Sequence, residues 1–229
     1  MPVYRLDERL LFPDPRLAEP EGLLAIGGDL RPERLLLAYQ HGIFPWFNPG
    51  EPPMWWSPDP RYVLFPDRLQ VSHSMRSLLR RKAFHVSMDK AFDQVIRACA
   101  STSLGRQEPG TWITADMIDA YTLLHQLGFA HSVEVWDDQH LVGGLYGVSL
   151  GRIFFGESMF TRRSNASKYG FIQAVQVMAS WGIHLVDCQQ GTRHLISLGA
   201  EPMPRVDFLD RLAAEDLRHT RRGAWTFPD

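Results

Sequence analysis

Apolar residues recur at helical spacing near the start of the chain and then alternate with polar ones. Leu35 and Tyr39 lie one helical turn apart, after Pro32, a residue type favoured in the first turn of a helix. The segment 61–65 alternates as a strand does. These patterns predict a small N-terminal α+β domain over residues 1–65.

Three helices are predicted in the first half of the remaining chain, residues 66–229. Ser72, Asp89 and Thr114 are of the residue types that cap helix N-termini, and each precedes apolar residues at helical spacing. A short strand is expected at 85–88, between the first two helices. Helical and extended segments therefore alternate in this part of the chain.

Three alternating segments with short turns between them predict an antiparallel meander over 130–160. A long helix ending at Gly182 and a buried strand at 183–189 follow. Two helices, a meander, a helix and a further strand are the element order of a GNAT-like acyltransferase domain. Such folds splay two central strands and bind an acyl donor in the gap, so we expect an α/β domain with a mixed sheet.

Length and composition are those of a globular protein, with 229 residues, 45% hydrophobic and 22% charged. No apolar run reaches about 18 residues, and the segment MPVYRLDERL is too charged for a signal peptide. We therefore predict a cytoplasmic monomer without membrane contact. Cys99 and Cys188 match no zinc or redox spacing, so no metal is expected.

The formal net charge of −2 means that any contact with a nucleic acid requires a local basic patch. The first predicted helix of the second domain offers one, because four cations lie close together there: Arg76, Arg80, Arg81 and Lys82. Electrostatics favours these residues as contacts to a nucleic-acid backbone. The alternative is an ordinary solvated face of a helix.

An aromatic, proline-rich segment spans residues 42–61, with three tryptophans and six prolines. Proline fixes φ and lacks a backbone donor, so we expect a stiff irregular loop that is neither a helix nor a central strand. Trp46, Trp55 and Trp56 either fill a core or form a flat wall for a flat ligand.

Two carboxylates follow apolar strand-like segments. Glu157 comes after an apolar run and a glycine, which indicates a strand end or a bulge, and Asp187 lies in the buried-type segment LVDCQ together with Gln189. A buried carboxylate needs partners, or its pKa rises. Both residues could form a catalytic centre, or they could be structural ion pairs with the nearby cations Arg162, Arg163 or Lys168.

A series of short strings resembles one protein family. In order, they are GLLAIGGDL, AYQHGIFPWFNPGEPPMWWSPDPR, GTWIT, AHSVEVW, LVGGLYGV, GESMF, NASK, LVDCQ and SLGA. Together they resemble the leucyl/phenylalanyl-tRNA–protein transferases. The resemblance implies transfer of Leu or Phe from charged tRNA to an N-terminal Arg or Lys of a protein. This transfer marks the protein for the bacterial N-degron pathway, and it uses neither a metal nor coenzyme A.

The resemblance also implies roles for individual residues. Aromatic residues hold the terminal adenosine of the tRNA: Trp46, Trp112, Tyr39 and Tyr121. Apolar residues hold the Leu or Phe side chain: Leu145, Met159, Phe171, Met178 and Val186. The acceptor amine meets a polar centre of Glu157, Asp187 and Gln189. Trp55 and Trp56 are expected to be structural.

Three rival functions remain at this point. A coenzyme A-dependent N-acyltransferase shares the element order, but it would need a glycine-bearing turn where this chain has TRRSNASK. A non-enzymatic module for basic N-termini would leave the tRNA-end aromatics unexplained. A thiol enzyme would have to pair Cys188 with His194.

Overall fold

A computed structural model describes residues 3–102 and 113–227. The strands are β1 (Tyr4–Leu6), β2 (Leu23–Gly27), β3 (Phe44–Pro45), β4 (Met54–Trp56), β5 (Arg61–Leu64), β6 (His85–Met88), β7 (Ala130–Asp137), β8 (His140–Leu150), β9 (Ile153–Thr161), β10 (Leu185–Gln189) and β11 (Glu201–Met203). The helices are α1 (Pro32–Gln40), α2 (His73–Arg80), α3 (Phe92–Thr102), α4 (Ala115–Gln126), α5 (Ala166–Ser180), α6 (Arg193–Ile196) and α7 (Arg205–Ala213).

The larger sheet has seven strands in the order β11-β5-β10-β9-β8-β7-β6. Strands β7, β8 and β9 form the expected antiparallel meander, and β10 pairs with β9 in parallel. The element order predicted for a GNAT-like domain is therefore confirmed, and so is the mixed sheet. The ladder between β9 and β10 ends at Phe155 and Asp187, although β9 continues to Thr161. A gap between two central strands results.

The smaller sheet has the order β1-β2-β4-β3. Strand β4 is central in it, so the prediction of an irregular loop without a central strand was wrong for residues 54–56. The prolines lie on both sides of β4, which leaves its backbone donors free to pair. Trp55 is fully buried there and donates its indole N–H to the carbonyl of Gly27 at 2.8 Å.

Strand β5 joins the two parts of the molecule. We assigned residues 61–65 to the N-terminal domain, yet β5 pairs with β10 and β11 in the larger sheet. The alternating pattern of a strand does not identify its partners, which are here more than a hundred residues away. A domain boundary at residue 65 stays a prediction.

Helices cover both faces of the larger sheet. Helices α3 and α4 contact it on the side of one apolar core, which α1 also joins, and α5 packs on β7, β8 and β9 in a second core. Helix α2 packs against α5. No helix within the described ranges is long and apolar enough to cross a membrane.

Helix ends follow the predicted capping residues with one exception. Ser72 and Thr114 each accept a backbone N–H three residues on, and the positive φ of Gly182 ends α5. Asp89 does not cap α3. Its buried carboxylate instead accepts the backbone N–H groups of Ser132 and Trp225, at 2.8 and 2.6 Å. Asp89 therefore bonds to residues distant in sequence instead of to the first turn of α3.

Candidate active site

A cavity of about 430 Å³ opens where β9 and β10 separate, beside the N-terminal ends of α5 and α6. Its apolar wall includes four of the five residues predicted to hold the donor side chain, namely Leu145, Met159, Phe171 and Val186. Leu145 and Met159 face each other across the β8–β9 ladder. Met178 does not line the cavity, because it points into the core between α5 and the sheet.

Glu157 lies on the polar side of this cavity, at a β-bulge. Tyr146 of β8 pairs with Ser158, whereas the next residue, Gly147, pairs with Gly156. Glu157 is therefore the extra residue of β9, which re-aims its side chain relative to the regular ladder. The sequence prediction of a bulge or strand end is confirmed.

The carboxylate of Glu157 is held by neutral donors. Tyr121 donates its hydroxyl to Oε2 at 3.0 Å, and Gln189 donates its side-chain amide to Oε1 at 2.8 Å. Within the described part of the chain, no Lys, Arg or His forms an ion pair with Glu157. Burial raises its pKa to about 7, the nearby charge of Asp187 adds to this, and hydrogen bonds from Tyr39, Tyr121 and Gln189 oppose it.

Asp187 has a different partner from those expected. Both of its oxygens accept hydrogen bonds from Arg61, at 2.8 Å from Nε and 2.6 Å from Nη2, and both side chains are buried. The predicted alternative of pairing with Arg162, Arg163 or Lys168 was wrong, because those cations contact Leu141, Asp137 and Ser197 respectively. The charge of Asp187 is therefore balanced by a buried cation, Arg61.

Sequence reasoning missed Arg61, although it ends the string SPDPR. A usable signal was its position two residues before Val63 on an alternating strand, since the two share a buried face. A charged residue on a buried face needs a buried counter-charge.

Gln189 connects the two carboxylates. Its backbone N–H donates to Oδ1 of Asp187 at 2.8 Å, while its side chain reaches Glu157. The backbone φ of Gln189 is +58°, in the left-handed region, and the β5–β10 register shifts between Asp187 and Gln189. Such a conformation costs roughly 1–3 kcal/mol in a residue other than glycine, so the surrounding contacts must hold it.

The aromatic residues predicted to hold the adenosine are placed differently from one another. Trp46 lines the cavity mouth, is 41% exposed and rests edge-on against Trp56, which donates its indole N–H to the carbonyl of Trp46 at 2.7 Å. Trp112 lies outside the described residues. Tyr39 and Tyr121 are fully buried and do not line the cavity, so neither presents a ring face to a base.

The basic group on and after α2 is exposed as expected. Its four members are Arg76, Arg80, Arg81 and Lys82. Among the residues that the structure describes, none of the four has an acidic partner within ion-pair distance. Exposure without an acidic partner fits both the predicted contact with a nucleic-acid backbone and an ordinary solvated face, so this role stays a prediction.

The thiol rival receives no support from the geometry. Burial raises the pKa of Cys188 well above its ordinary value, and the thiol donates weakly to the carbonyl of Val186 at 3.9 Å. His194 lines the same cavity, with a pKa lowered by burial, but it forms no hydrogen bond to Cys188. No group of three or more potential metal ligands occurs in the described ranges.

An apolar cavity between two separating strands, with a buried carboxylate of near-neutral pKa beside it, is the arrangement of an acyl-transferring enzyme. The family models for leucyl/phenylalanyl-tRNA protein transferase match residues 63–213, and those for its N-terminal domain match residues 28–59. The chain belongs to the leucyl/phenylalanyl-tRNA protein transferase family.

Relatives of that name are similar over almost the whole chain. The protein from Anaeromyxobacter sp. (strain Fw109-5) is 55% identical over 98% of this chain and 95% of its own. The protein from Syntrophotalea carbinolica is 57% identical over 93% of this chain and 92% of its own.

Solved structures show a more distant likeness. L-PGS from Bacillus licheniformis is 15% identical with a TM-score of 0.40, covering 72% of this chain and 51% of its own. A GCN5-related N-acetyltransferase from Kribbella flavida is 14% identical with a TM-score of 0.35, covering 76% of this chain and 61% of its own.

Proposed function

We propose that this protein transfers Leu or Phe from aminoacyl-tRNA to the N-terminal residue of an acceptor protein. The observation that carries the proposal is Glu157, a buried carboxylate without a cationic partner in the described structure, beside an apolar cavity. The family membership of both parts of the chain favours this function over a coenzyme A-dependent N-acyltransferase.

The reaction is an aminolysis of an ester. The α-amine of the acceptor attacks the aminoacyl carbonyl carbon, a C–N bond forms, and the bond to the ribose oxygen breaks. Glu157 takes the proton from the attacking amine and passes it to the departing ribose oxygen, so the carboxylate is regenerated. A base with a pKa of about 7 suits this step, because it is substantially ionised at neutral pH and still basic.

The donor binds in the apolar part of the cavity. Leu145, Met159, Phe171 and Val186 surround a space suited to Leu or Phe, and the flexible side chain of Met159 can adapt to either shape. Trp46 offers its exposed ring to the terminal adenosine, and the family motif assigns Trp112 to the same base. The basic group on and after α2 then contacts the phosphates of the tRNA.

The acceptor approaches from the polar side. An N-terminal Arg or Lys brings two positive charges, and Glu157 is the cavity carboxylate that no internal cation neutralises within the described residues. Asp187 serves as a positioning residue through Gln189. We place the reaction in the cytoplasm, with a monomeric enzyme, no cofactor and a product that carries a degradation signal.

The test mixes the purified protein with labelled Leu-tRNA and peptides that begin with Arg, Lys or neutral citrulline. We expect label on the Arg and Lys peptides, and loss of transfer in Glu157→Gln. Labelled acetyl-CoA is offered in parallel to the same peptides. Acetylation without leucylation would overturn the proposal in favour of the coenzyme A-dependent rival.

A further inference from the structure

Two buried tyrosines meet behind the catalytic carboxylate. The hydroxyls of Tyr39 and Tyr121 are hydrogen-bonded to each other, and Tyr121 donates to Oε2 of Glu157 at 3.0 Å. Tyr39 comes from α1, Tyr121 from α4 and Glu157 from β9, so three separate elements converge on this chain of hydroxyls. Both rings are fully buried.

Glu157 needs such support because of its place in the strand. A bulged residue is left out of the regular ladder, so the ladder alone does not fix the direction of its side chain. Gln189 holds one carboxylate oxygen from the side of β10, and Tyr121 holds the other from the side of α4. We propose that Tyr39 and Tyr121 are positioning residues, which hold Glu157 towards the cavity and favour its ionised form.

The chemistry of the hydroxyls supports this role. Hydrogen bonds donated to a carboxylate stabilise its charge, and they oppose the burial that raises the pKa of Glu157. The tyrosines themselves stay protonated, because burial and the charge of Glu157 raise their own pKa values well above 10. They therefore act as donors in this chain and take no proton from the substrate.

The environment contains few other charges. The titratable groups that interact with Glu157 are Asp187 of β10, Tyr146 of β8 and the two tyrosines; Arg61 of β5 pairs with Asp187, and Cys99 of α3 interacts with Tyr146. Arg61 and Asp187 neutralise each other, and burial keeps Cys99 protonated by raising its pKa to about 12. The two hydroxyls and the amide of Gln189 are therefore the main stabilisers of charge on Glu157.

This inference replaces the role that the family resemblance implied for the two tyrosines. A residue that stacks on adenosine must present a ring face, and both rings are buried away from the cavity. Tyr121 contacts Glu157 directly in the structure, whereas a contact with the donor would require both rings to move.

The experiment compares Tyr121→Phe and Tyr39→Phe with the matched variant Tyr146→Phe. Tyr146 is equally buried and contacts Tyr121 edge-on, but its hydroxyl has no hydrogen-bond partner in the described part of the chain. Each substitution keeps the ring and removes one hydroxyl. The carboxyl of Glu157 is titrated by carbon-13 NMR in the protein without substrate, and Glu157→Gln identifies its signal.

We expect Tyr121→Phe to move the Glu157 titration to higher pH by about one to two units, the value of a hydrogen bond to a charged group. Tyr39→Phe should shift it in the same direction, and Tyr146→Phe should leave it in place. An unchanged titration in Tyr121→Phe would overturn the inference. Thermal unfolding verifies that each variant is folded.

A kinetic measurement rests on the proposed function, and it distinguishes a failure of this inference from a failure of the proposed function. The acidic limb of kcat/KM against pH should move upwards with the NMR titration in Tyr121→Phe. A raised KM for charged tRNA with an unmoved limb would favour the adenosine contact and contradict the inference. Absence of transfer in the wild-type protein, with the NMR shift present, would reject the proposed function and support the role of the tyrosines.

Discussion

Arg61 and Asp187 are joined by two hydrogen bonds across 126 residues of sequence, and neither side chain is more than 1% exposed. The same guanidinium donates to the carbonyl of Gly42 at 3.1 Å. Gly42 lies shortly before Trp46 in the chain. One buried cation thus links the catalytic centre to the segment that carries the exposed tryptophan.

Removing the cation alone should be costly. Arg61→Met leaves Asp187 buried and unpaired, so we expect a loss of about 3–5 kcal/mol in the free energy of unfolding. Combining it with Asp187→Leu should restore most of the stability, because an apolar pair of similar size is tolerated in a core. Transfer activity should stay low in the double variant, since Gln189 there loses the carboxylate that holds its backbone.

Urea unfolding measures both variants, and the exposed pair of Arg68 and Glu201 supplies a control. Arg68→Met should change the free energy of unfolding by at most about 1 kcal/mol. A double variant that is no more stable than Arg61→Met would show that the unpaired carboxylate is not the source of the loss.

Glu157 should make the folded protein less stable as the pH rises. Its pKa is about 7 in the folded state against an ordinary value of 4.5, because burial disfavours the charge. Between these values the unfolded chain releases the proton first. The stability is therefore complete below pH 4.5 and declines until about pH 7, by up to about 3 kcal/mol.

Glu157→Gln should lack this decline, so the variant gains stability over the wild type as the pH increases. The lowered pKa values of His131 and His194 act in the opposite direction over part of the same window, and they are present in both proteins. The difference between the two unfolding free energies at pH 5 and pH 8 isolates Glu157. A difference that is the same at both pH values would contradict the raised pKa.

Trp46 should act on the donor. Trp46→Ala removes an exposed ring whose stacking on a base is worth about 1–3 kcal/mol, so the KM for charged tRNA should rise roughly 10- to 100-fold. The KM for the acceptor peptide should hardly change. The opposite result, an effect on the peptide alone, would mean that the ring contacts the acceptor cation.

Substitutions at Phe171 and Met178 should distinguish a residue of the cavity wall from a residue of the core. Both lie on α5 and are buried, but Phe171 lines the cavity and Met178 does not. Phe171→Ala should favour bulkier donors over Leu, whereas Met178→Ala should leave donor preference unchanged. Each substitution should lower the free energy of unfolding by about 2–5 kcal/mol. Competition between Leu-tRNA and Phe-tRNA measures the preference, and an equal shift in both variants would place the pocket elsewhere.

Local patterns in the sequence were sufficient to predict most helices and strands and several of the residues that end them. The alternation of the meander, the cap at Thr114 and the bulge at Glu157 all depend on neighbours in the chain. Partners across the fold leave no such periodic signal. The contact from Tyr121 to Glu157 and the bond from Trp225 to Asp89 therefore could not be predicted.

The resemblance to a family placed residues in the right region without defining their contacts. Tyr39 and Tyr121 do lie near the centre, but their hydroxyls face a carboxylate and their rings face a core. Met178 lies two helical turns after Phe171 and one after Val175, and helical spacing alone cannot distinguish a residue of the cavity wall from one packed in the core beneath it.

Strand β5 lies between β10 and β11 in the larger sheet, although it precedes both by more than a hundred residues. A ribosome makes β5 more than a hundred residues before either neighbour, so this strand has no partner in the larger sheet during that interval. Sheets that join distant segments form slowly, and exposed strand edges can associate with other chains in the meantime. Completion of the catalytic sheet therefore has to wait until β10 and β11 have been made.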